Sequence, residues 1–352
     1  MSNSALNNLN KDELVALVEH LNTENAVLKA KMCASSEQQI NFADYILSWL
    51  EQHRYEWQKT TYEGYSSIIT KYIVPYFSQK NLSVQQLKPS DIEAYYSYLM
   101  CDLNLSAKTV LHHHANIRKC LKSAVKDELI KRNPAALVDL PHAVNTPVNY
   151  LSEDELQKLL FICRVEYFSN SSPIYPVVLL ASLGLRRSET LGVKWCNIDL
   201  DDGILAIKNK IVPLKGQMVS EQEILKNQSS YRILKLPNGV IMELQHIRKY
   251  QFLKFGKYLE YVCSDNNGNV TNPCLASHQL LSLVKKYRLK PITIQGLRHT
   301  CATIISNNSF NLKYIQEWLG HSTIKITADT YTHVNISDKE KIAVALDDLF
   351  TP

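Results

Sequence analysis

The chain has no apolar run approaching the ~20 residues that cross a bilayer, and its N-terminus carries no signal-peptide hydrophobic region. These absences exclude a membrane-spanning helix and a secretory leader, so the expectation is a cytoplasmic protein with no membrane contact. The eight cysteines (Cys33, Cys101, Cys120, Cys163, Cys196, Cys263, Cys274 and Cys301) form no CxxC pair and have no histidine at zinc spacing. A disulfide scaffold and a zinc site are therefore set aside in favour of reduced, mostly buried thiols. Surplus charge is also scarce, because 39 Lys plus Arg against 34 Asp plus Glu leaves only +5. That permits nucleic-acid binding without arguing for it, and the distribution of the charge has to decide.

What is present divides into segments. A length of 352 residues suggests two domains or more, and 45% hydrophobic residues is ample for two cores. Residues 1–37 stand apart. Leu14, Val18, Leu21, Asn25, Leu28 and Met32 alternate steps of four and three, a heptad seam of about three repeats with one polar position. That seam at residues 11–32 either self-associates, docks an accessory protein or packs on the next domain. CASSEQ at 33–38 then reads as a linker.

Residues 38–141 read as all helix, with amphipathic stretches at 43–52, 60–74, 90–102 and 106–129. Ser90-Asp91 and Ser106 are plausible N-caps, and Asn133-Pro134 is a stop. In the last helix Val110, Ile117, Leu121 and Ala124 share one face, and Lys108, His112, Lys119, Lys122 and Lys126 share the other. That basic face is either simply solvated or faces a nucleic-acid groove. The triplet at 112–114 is not a metal site, since three successive helical residues point in different directions. PHAVNTPVNY at 141–150 is an extended, proline-bearing connector, and Ser152 with Glu155 makes a capping box that opens the next domain, 148–352.

Four features of that second domain carry chemistry. VVLLASLGLRRSETL at 177–191 is an apolar helix, a break at Gly184 and a new helix that leaves Arg186 near its N-terminus and carries Glu189. The stretch 203–237 alternates like strands, with KNQSS at 226–230 as a turn that lets Lys226 reach into a cleft. Gln295 and Arg298 are three apart on one helix, so they share a face. LKYIQEWL at 312–319 is an amphipathic helix stopped by Gly320, which holds His321 at a helix end, and Tyr331 follows ten residues later in a polar setting. DKEKIAVALDDLF at 338–350 is one more amphipathic helix.

GLRRSETLGVKW at 184–195, LKNQSSYR at 225–232, QGLRHT at 295–300, LGHS at 319–322 and DTYTH at 329–333 together resemble the catalytic boxes of the tyrosine recombinases, the phage-integrase family, in order and in spacing. Each box alone is weak; five in register over some 150 residues is strong. The resemblance implies a mainly α fold, with a helical SAM-like core-binding domain before a mostly helical catalytic domain carrying a small antiparallel sheet. It implies site-specific recombination of double-stranded DNA at crossover sites, through a 3′-phosphotyrosyl intermediate and a synaptic tetramer, at the bacterial nucleoid. It also implies that Arg186 and Arg298 clamp the scissile phosphate, Lys226 protonates the leaving 5′ oxygen, His321 bonds the phosphate and Tyr331 attacks phosphorus. The basic face of 106–129 becomes groove-facing under the same reading, and the tail helix packs on a neighbouring subunit or in cis.

The chemistry supports these roles independently. Phosphoryl transfer is mostly positioning and charge stabilisation, and guanidinium forks suit the equatorial oxygens of a five-coordinate phosphorus without metal or cofactor. A phosphotyrosine conserves the backbone bond energy, so rejoining needs no ATP. A lysine with an unperturbed pKa of about 10.4 is a competent acid at neutral pH. Glu189, one helical turn past Arg186, reads as an orienting partner.

One position departs from the family pattern. Gln295 stands where the family most often has histidine; it can donate to a phosphate oxygen but cannot take a proton from Tyr331. Water, His321 or a proton relay through the leaving group covers the loss, or the enzyme is slow. His299 reads as helix packing. Two other functions share these residues: a DNA-relaxing enzyme like the type IB topoisomerases, and a DNA-binding protein that has lost cleavage.

Overall fold

The computed structural model describes residues 23, 39–143, 149–214, 217–223, 231–307, 311–321 and 323. The heptad helix expected at 11–32, the turn bearing Lys226, Tyr331 and the tail helix at 338–350 lie outside the described residues. The chain divides into two compact units, Met1–Asn145 and Thr146–Pro352.

The first unit is a helical bundle. Helix α1 (Phe42–Gln52) starts at Asn41, whose side chain accepts from Ala43 N at 2.8 Å. Helix α2 (Lys59–Ile68) continues through one π-helical stretch, Ile69–Ile73, into α3 (Val74–Lys80), so the second rod runs past the expected end at 74. Pro75 explains the irregularity. Proline has no N–H to give to an i−4 carbonyl, and the π turn, in which Val74 N bonds Ile69 O, lets the rod continue past it. Helix α4 (Pro89–Cys101) begins one residue earlier than the Ser90-Asp91 signal suggested. Lys88 is the cap residue, Pro89 fills the first turn and the Asp91 carboxylate accepts from Lys88 N at 2.9 Å. Helix α5 (Ala107–Lys126) is capped by Ser106, as the sequence indicates, and stops three residues short of 129.

The core of this unit gathers Phe42, Trp49, Phe77, Tyr95, Ile117 and Leu121, each 2% exposed or less. The histidine triplet is resolved by direction: His112 is exposed, His113 bonds the Tyr95 hydroxyl and His114 the Tyr96 hydroxyl, both at 2.8 Å. Burial, then the neighbouring His112, pushes the His113 pKa down to about 4. A histidine depressed in the folded state stabilises it fully above its unfolded pKa near 6.5, and that contribution fades as pH falls toward 4. Urea unfolding of the protein should therefore lose about 3 kcal/mol from this unit between pH 6.5 and pH 4, with a flatter profile in His113→Asn.

The second unit is mostly helical with two small sheets. Helix α6 (Glu153–Asn170) opens on the expected capping box, Ser152 N donating to Glu155 at 2.8 Å. Helix α7 (Tyr175–Ala181) is apolar all round and every residue is buried, as such a helix must be. It is the centre of the core, and the break that follows it leads into α8 (Arg187–Leu191).

Strands β1 (Ile198–Asp199), β2 (Ile204–Ile207) and β5 (Arg232–Lys235) form one antiparallel sheet in the order β1-β2-β5. Strands β3 (Asn209–Leu214) and β4 (Gln217–Glu223) form a separate hairpin, with its register shifted between Val212 and Leu214 where Pro213 cannot donate. Strands β4 and β5, between which Lys226 falls in the sequence, thus belong to different sheets. Helices α9 (Asn238–Phe255), α10 (Pro273–Lys286), α11 (Ile294–Asn307) and α12 (Leu312–Leu319) complete the unit. Among the described residues no helix is long and apolar enough to cross a membrane.

Candidate active site

The site is built where the break after α7 meets the end of α12. Gly184 has φ +91, a conformation that L side chains rarely adopt, and a Cβ there would lie 2.7 Å from Leu319 Cδ2. The turn it permits places Arg186 as the residue that caps α8. Arg186 N donates to Glu189 Oε2 at 3.0 Å and Arg186 Nη1 to Glu189 Oε1 at 2.7 Å, so the two residues are tied through both backbone and side chain. Glu189 is 2% exposed. Burial works to raise its pKa, but the charges of Arg232 and Arg186 outweigh that and hold it below the usual carboxylate value.

Helix α12 stops at Gly320 in the left-handed region, φ +69. Gly320 N bonds Glu317 O at 3.2 Å and His321 N bonds Gln316 O at 3.1 Å, the paired closure of a Schellman motif. His321 is thus fixed at a helix end. The last carbonyls of α12, its negative pole, are taken by cations: Arg186 Nη2 donates to Gly320 O at 2.7 Å and Arg232 Nε to Trp318 O at 2.6 Å. Trp318 Nε1 returns a bond to Leu183 O at 2.8 Å. These contacts stitch α12 to the Gly184 turn.

Arg298, on α11, donates Nη1 to Gly184 O at 2.8 Å and is 2% exposed. Gln295, three residues earlier, is exposed. The two share a helix but differ in depth, Gln295 at the surface and Arg298 beneath it. Gln295, Arg186, Arg187, Ser188, Val212 and Ser277 are among the residues lining one cleft of about 640 Å³. His321 is half-buried, and burial, then the charges of Arg298 and Arg186, push its pKa down to about 4, so it is a neutral imidazole at neutral pH. Burial and the adjacent Arg298 likewise lower His299.

The structure therefore brings together Arg186, Glu189, Arg298 and His321, with Gln295 on the wall of the cleft that Arg186 also lines. It adds Arg232, a residue to which the sequence alone assigns no role. Arg232 is 8% exposed and donates Nη2 to Glu189 Oε2 at 3.1 Å, so Glu189 serves two arginines. The signal for it was available: alternation in RILK puts Arg232 on the inward face with Leu234. In the first unit Lys108, His112, Lys119, Lys122 and Lys126 are all exposed on α5. Lys119 is not simply solvated, because its ammonium sits 4.6 Å from the Trp57 ring centroid and 5.2 Å from that of Tyr65.

A profile of the phage integrase family matches residues 149–338, and one of the N-terminal SAM-like domain of phage integrases matches residues 41–100. The chain is 26% identical over 342 residues to a XerC-like tyrosine recombinase of Caldanaerobacter subterraneus subsp. tengcongensis, a similarity covering 89% of this chain and 84% of the relative. It is 23% identical over 322 residues to the ICEBs1 integrase of Bacillus subtilis, covering 90% and 85%. Its fold is similar to that of the Tn1549 transposon integrase solved with a circular intermediate DNA, with a TM-score of 0.73 at 20% identity over 87% of this chain and 99% of that one. The matched region is more than half of the chain and contains the whole arginine and histidine cluster, which leaves one conclusion: the chain belongs to the phage integrase family of tyrosine recombinases.

Proposed function

We propose that this protein is a site-specific DNA recombinase that cuts and rejoins duplex DNA through a 3′-phosphotyrosyl intermediate. The observation that carries the reading is the convergence of Arg186, Arg298 and His321 on the junction of the Gly184 turn with the end of α12. Arg186, with a side chain 32% exposed, and the deeper Arg298 would hold and neutralise the scissile phosphate. His321 and Gln295 would hydrogen-bond its oxygens, and the imidazole of His321, neutral at neutral pH, would accept a proton where Gln295 cannot. Lys226 would protonate the leaving 5′ oxygen and Tyr331 would attack phosphorus.

On this reading residues 38–141 are the core-binding domain and 148–352 the catalytic domain. The α5 face of Lys108, His112, Lys119, Lys122 and Lys126 contacts the phosphate backbone. Four protomers meet at synapsis on the nucleoid, and the segment at 11–32 serves a partner or a second copy. The exchange needs no metal or ATP, because the phosphotyrosine stores the backbone bond.

Covalent trapping tests this. A nicked duplex bearing a crossover site found by footprinting is incubated with the protein in EDTA without ATP, then resolved on a denaturing gel. An adduct is expected; a clear footprint with no adduct would instead identify a DNA-binding protein without cleavage. Crossover between two such sites separates recombination from topoisomerase-like relaxation.

A further inference from the structure

Outside the arginine cluster, a polar network lies at the base of the β3–β4 hairpin. Lys194 and Tyr261 face each other across a single antiparallel bridge, secured by Trp195 N to Glu260 O at 3.0 Å and Val262 N to Val193 O at 3.1 Å. Both side chains converge on Glu221 of β4. Lys194 Nζ lies 2.6 Å from Glu221 Oε1 and 2.8 Å from Glu260 Oε1. The Tyr261 hydroxyl donates to Glu221 Oε2 at 2.6 Å, and Asn209 Nδ2, from β3, donates to Glu221 Oε1 at 2.7 Å. Asn197 Nδ2 in turn holds Asn209 Oδ1 at 3.1 Å.

The clamp is anchored to α8. A Cβ on Gly192, the residue after α8, would lie 2.4 Å from the Asn209 carbonyl oxygen, so β3 rests directly on the backbone that leaves Glu189 and Leu191. An isolated surface ion pair contributes little, but a carboxylate with three donors, one of them a lysine side chain 16% exposed, forms a network. Burial tends to raise the Glu221 carboxyl, yet the bonds from Lys194 and Tyr261 outweigh it and keep it low. The hairpin so held contributes Ile211, Val212 and Pro213 to the cleft wall. Three residues beyond Glu223, the end of β4, comes Lys226.

We infer that Glu221, clamped by Lys194, Tyr261 and Asn209, is a positioning residue for cleavage: it fixes strand β4 and through it the reach of Lys226 to the leaving oxygen. The inference rests on the general-acid reading of Lys226. In that step the Tyr331 hydroxyl gives its proton to His321 or water as its oxygen bonds to phosphorus, the bond from phosphorus to the 5′ oxygen breaks, and the electron pair left on that oxygen takes the lysine proton.

The test compares two duplexes of the footprinted site, one with the normal 5′ bridging oxygen and one with sulfur in its place. A thiolate leaves without a proton, so the sulfur duplex needs no general acid. In the full-length protein, Glu221→Ala should slow single-turnover adduct formation on the oxygen duplex about 10²-fold and Tyr261→Phe about 10-fold, by misplacing the acid. Both should approach the parent protein on the sulfur duplex, with unchanged footprints. Tyr261→Phe removes one hydroxyl and keeps the ring, so it reports even if Glu221→Ala does not fold. No slowing, or equal slowing on both duplexes, overturns the positioning role while leaving Lys226 as the acid. Lys226→Ala decides the underlying reading: if sulfur fails to restore it, the general-acid assignment falls and the inference with it.

Discussion

Tyr331→Phe is expected to abolish the covalent protein–DNA adduct while leaving the footprint unchanged. The substitution removes a single oxygen, the atom that would bond to phosphorus. Loss of a proton-transfer group typically costs about 10²–10⁴-fold, because the reaction can proceed more slowly without it. Loss of the nucleophilic atom leaves no covalent route, and water attacking in its place would give a cut strand with no attached protein. The ring stays, the charge at neutral pH is unchanged, and DNA affinity, which rests on basic side chains, should hold within about twofold. A denaturing gel reads the adduct and footprinting reads the affinity. An adduct persisting in Tyr331→Phe would move the nucleophile to another side chain, and Tyr314, 65% exposed on α12, would be the first to replace.

Glu189→Ala is expected to destabilise the second unit by about 3–5 kcal/mol, the usual consequence of removing one partner from a buried ion pair. For a unit of this size that lowers its melting temperature by roughly 10 °C. Arg232 would lose its counter-charge while remaining tied to Trp318 O, and Arg186 would lose both the bond to its guanidinium and the acceptor for its backbone N–H. Cleavage should fall even where the variant is folded, since among the described residues the Arg186 guanidinium would then keep its bond to Gly320 O but lose the carboxylate that orients it. The pH dependence has a definite sign. A carboxylate depressed in the folded state contributes above its unfolded pKa of about 4.3 and loses that contribution as pH falls through its folded value. Parent and variant should thus differ most near neutrality and converge in acid, which thermal melts at several pH values will register. A constant difference down to pH 3 would rule out the ionic account.

Much of the site could be read from the sequence because its constraints are local. Gly184 before an arginine pair and Gly320 after an amphipathic run announce a turn and a helix stop through backbone sterics alone, and these two positions set Arg186 and His321. The capping pairs at Ser152 and Ser106 were legible for the same reason. Arg232 was not, because its meaning comes from Glu189, 43 residues away, and Trp318, 86 residues away. Its strand also defies propensity: Ile233 faces out, 61% exposed, while the arginine faces in. The π-helical stretch before Pro75 was equally hidden, since a proline in a helical pattern reads as an end unless the preceding turn can widen. The split of the strands into two sheets depends on which edges meet, which alternation does not encode.

Among the described residues, the cluster at the Gly184 turn sets three guanidinium groups, of Arg186, Arg232 and Arg298, against the carboxylate of Glu189, with His321 driven neutral and adding nothing. Such an excess of like charge is a standing repulsion inside the folded chain, and on the proposed reading a bound scissile phosphate would relieve it. Ligand binding that relieves strain in the native state also raises the native population, by mass action. On that reading folding and DNA binding would be linked, with the DNA-bound protein the more robust form. In a cell, where transient opening exposes a chain to proteases, that linkage would shorten the lifetime of copies that have found no target and spare those that have.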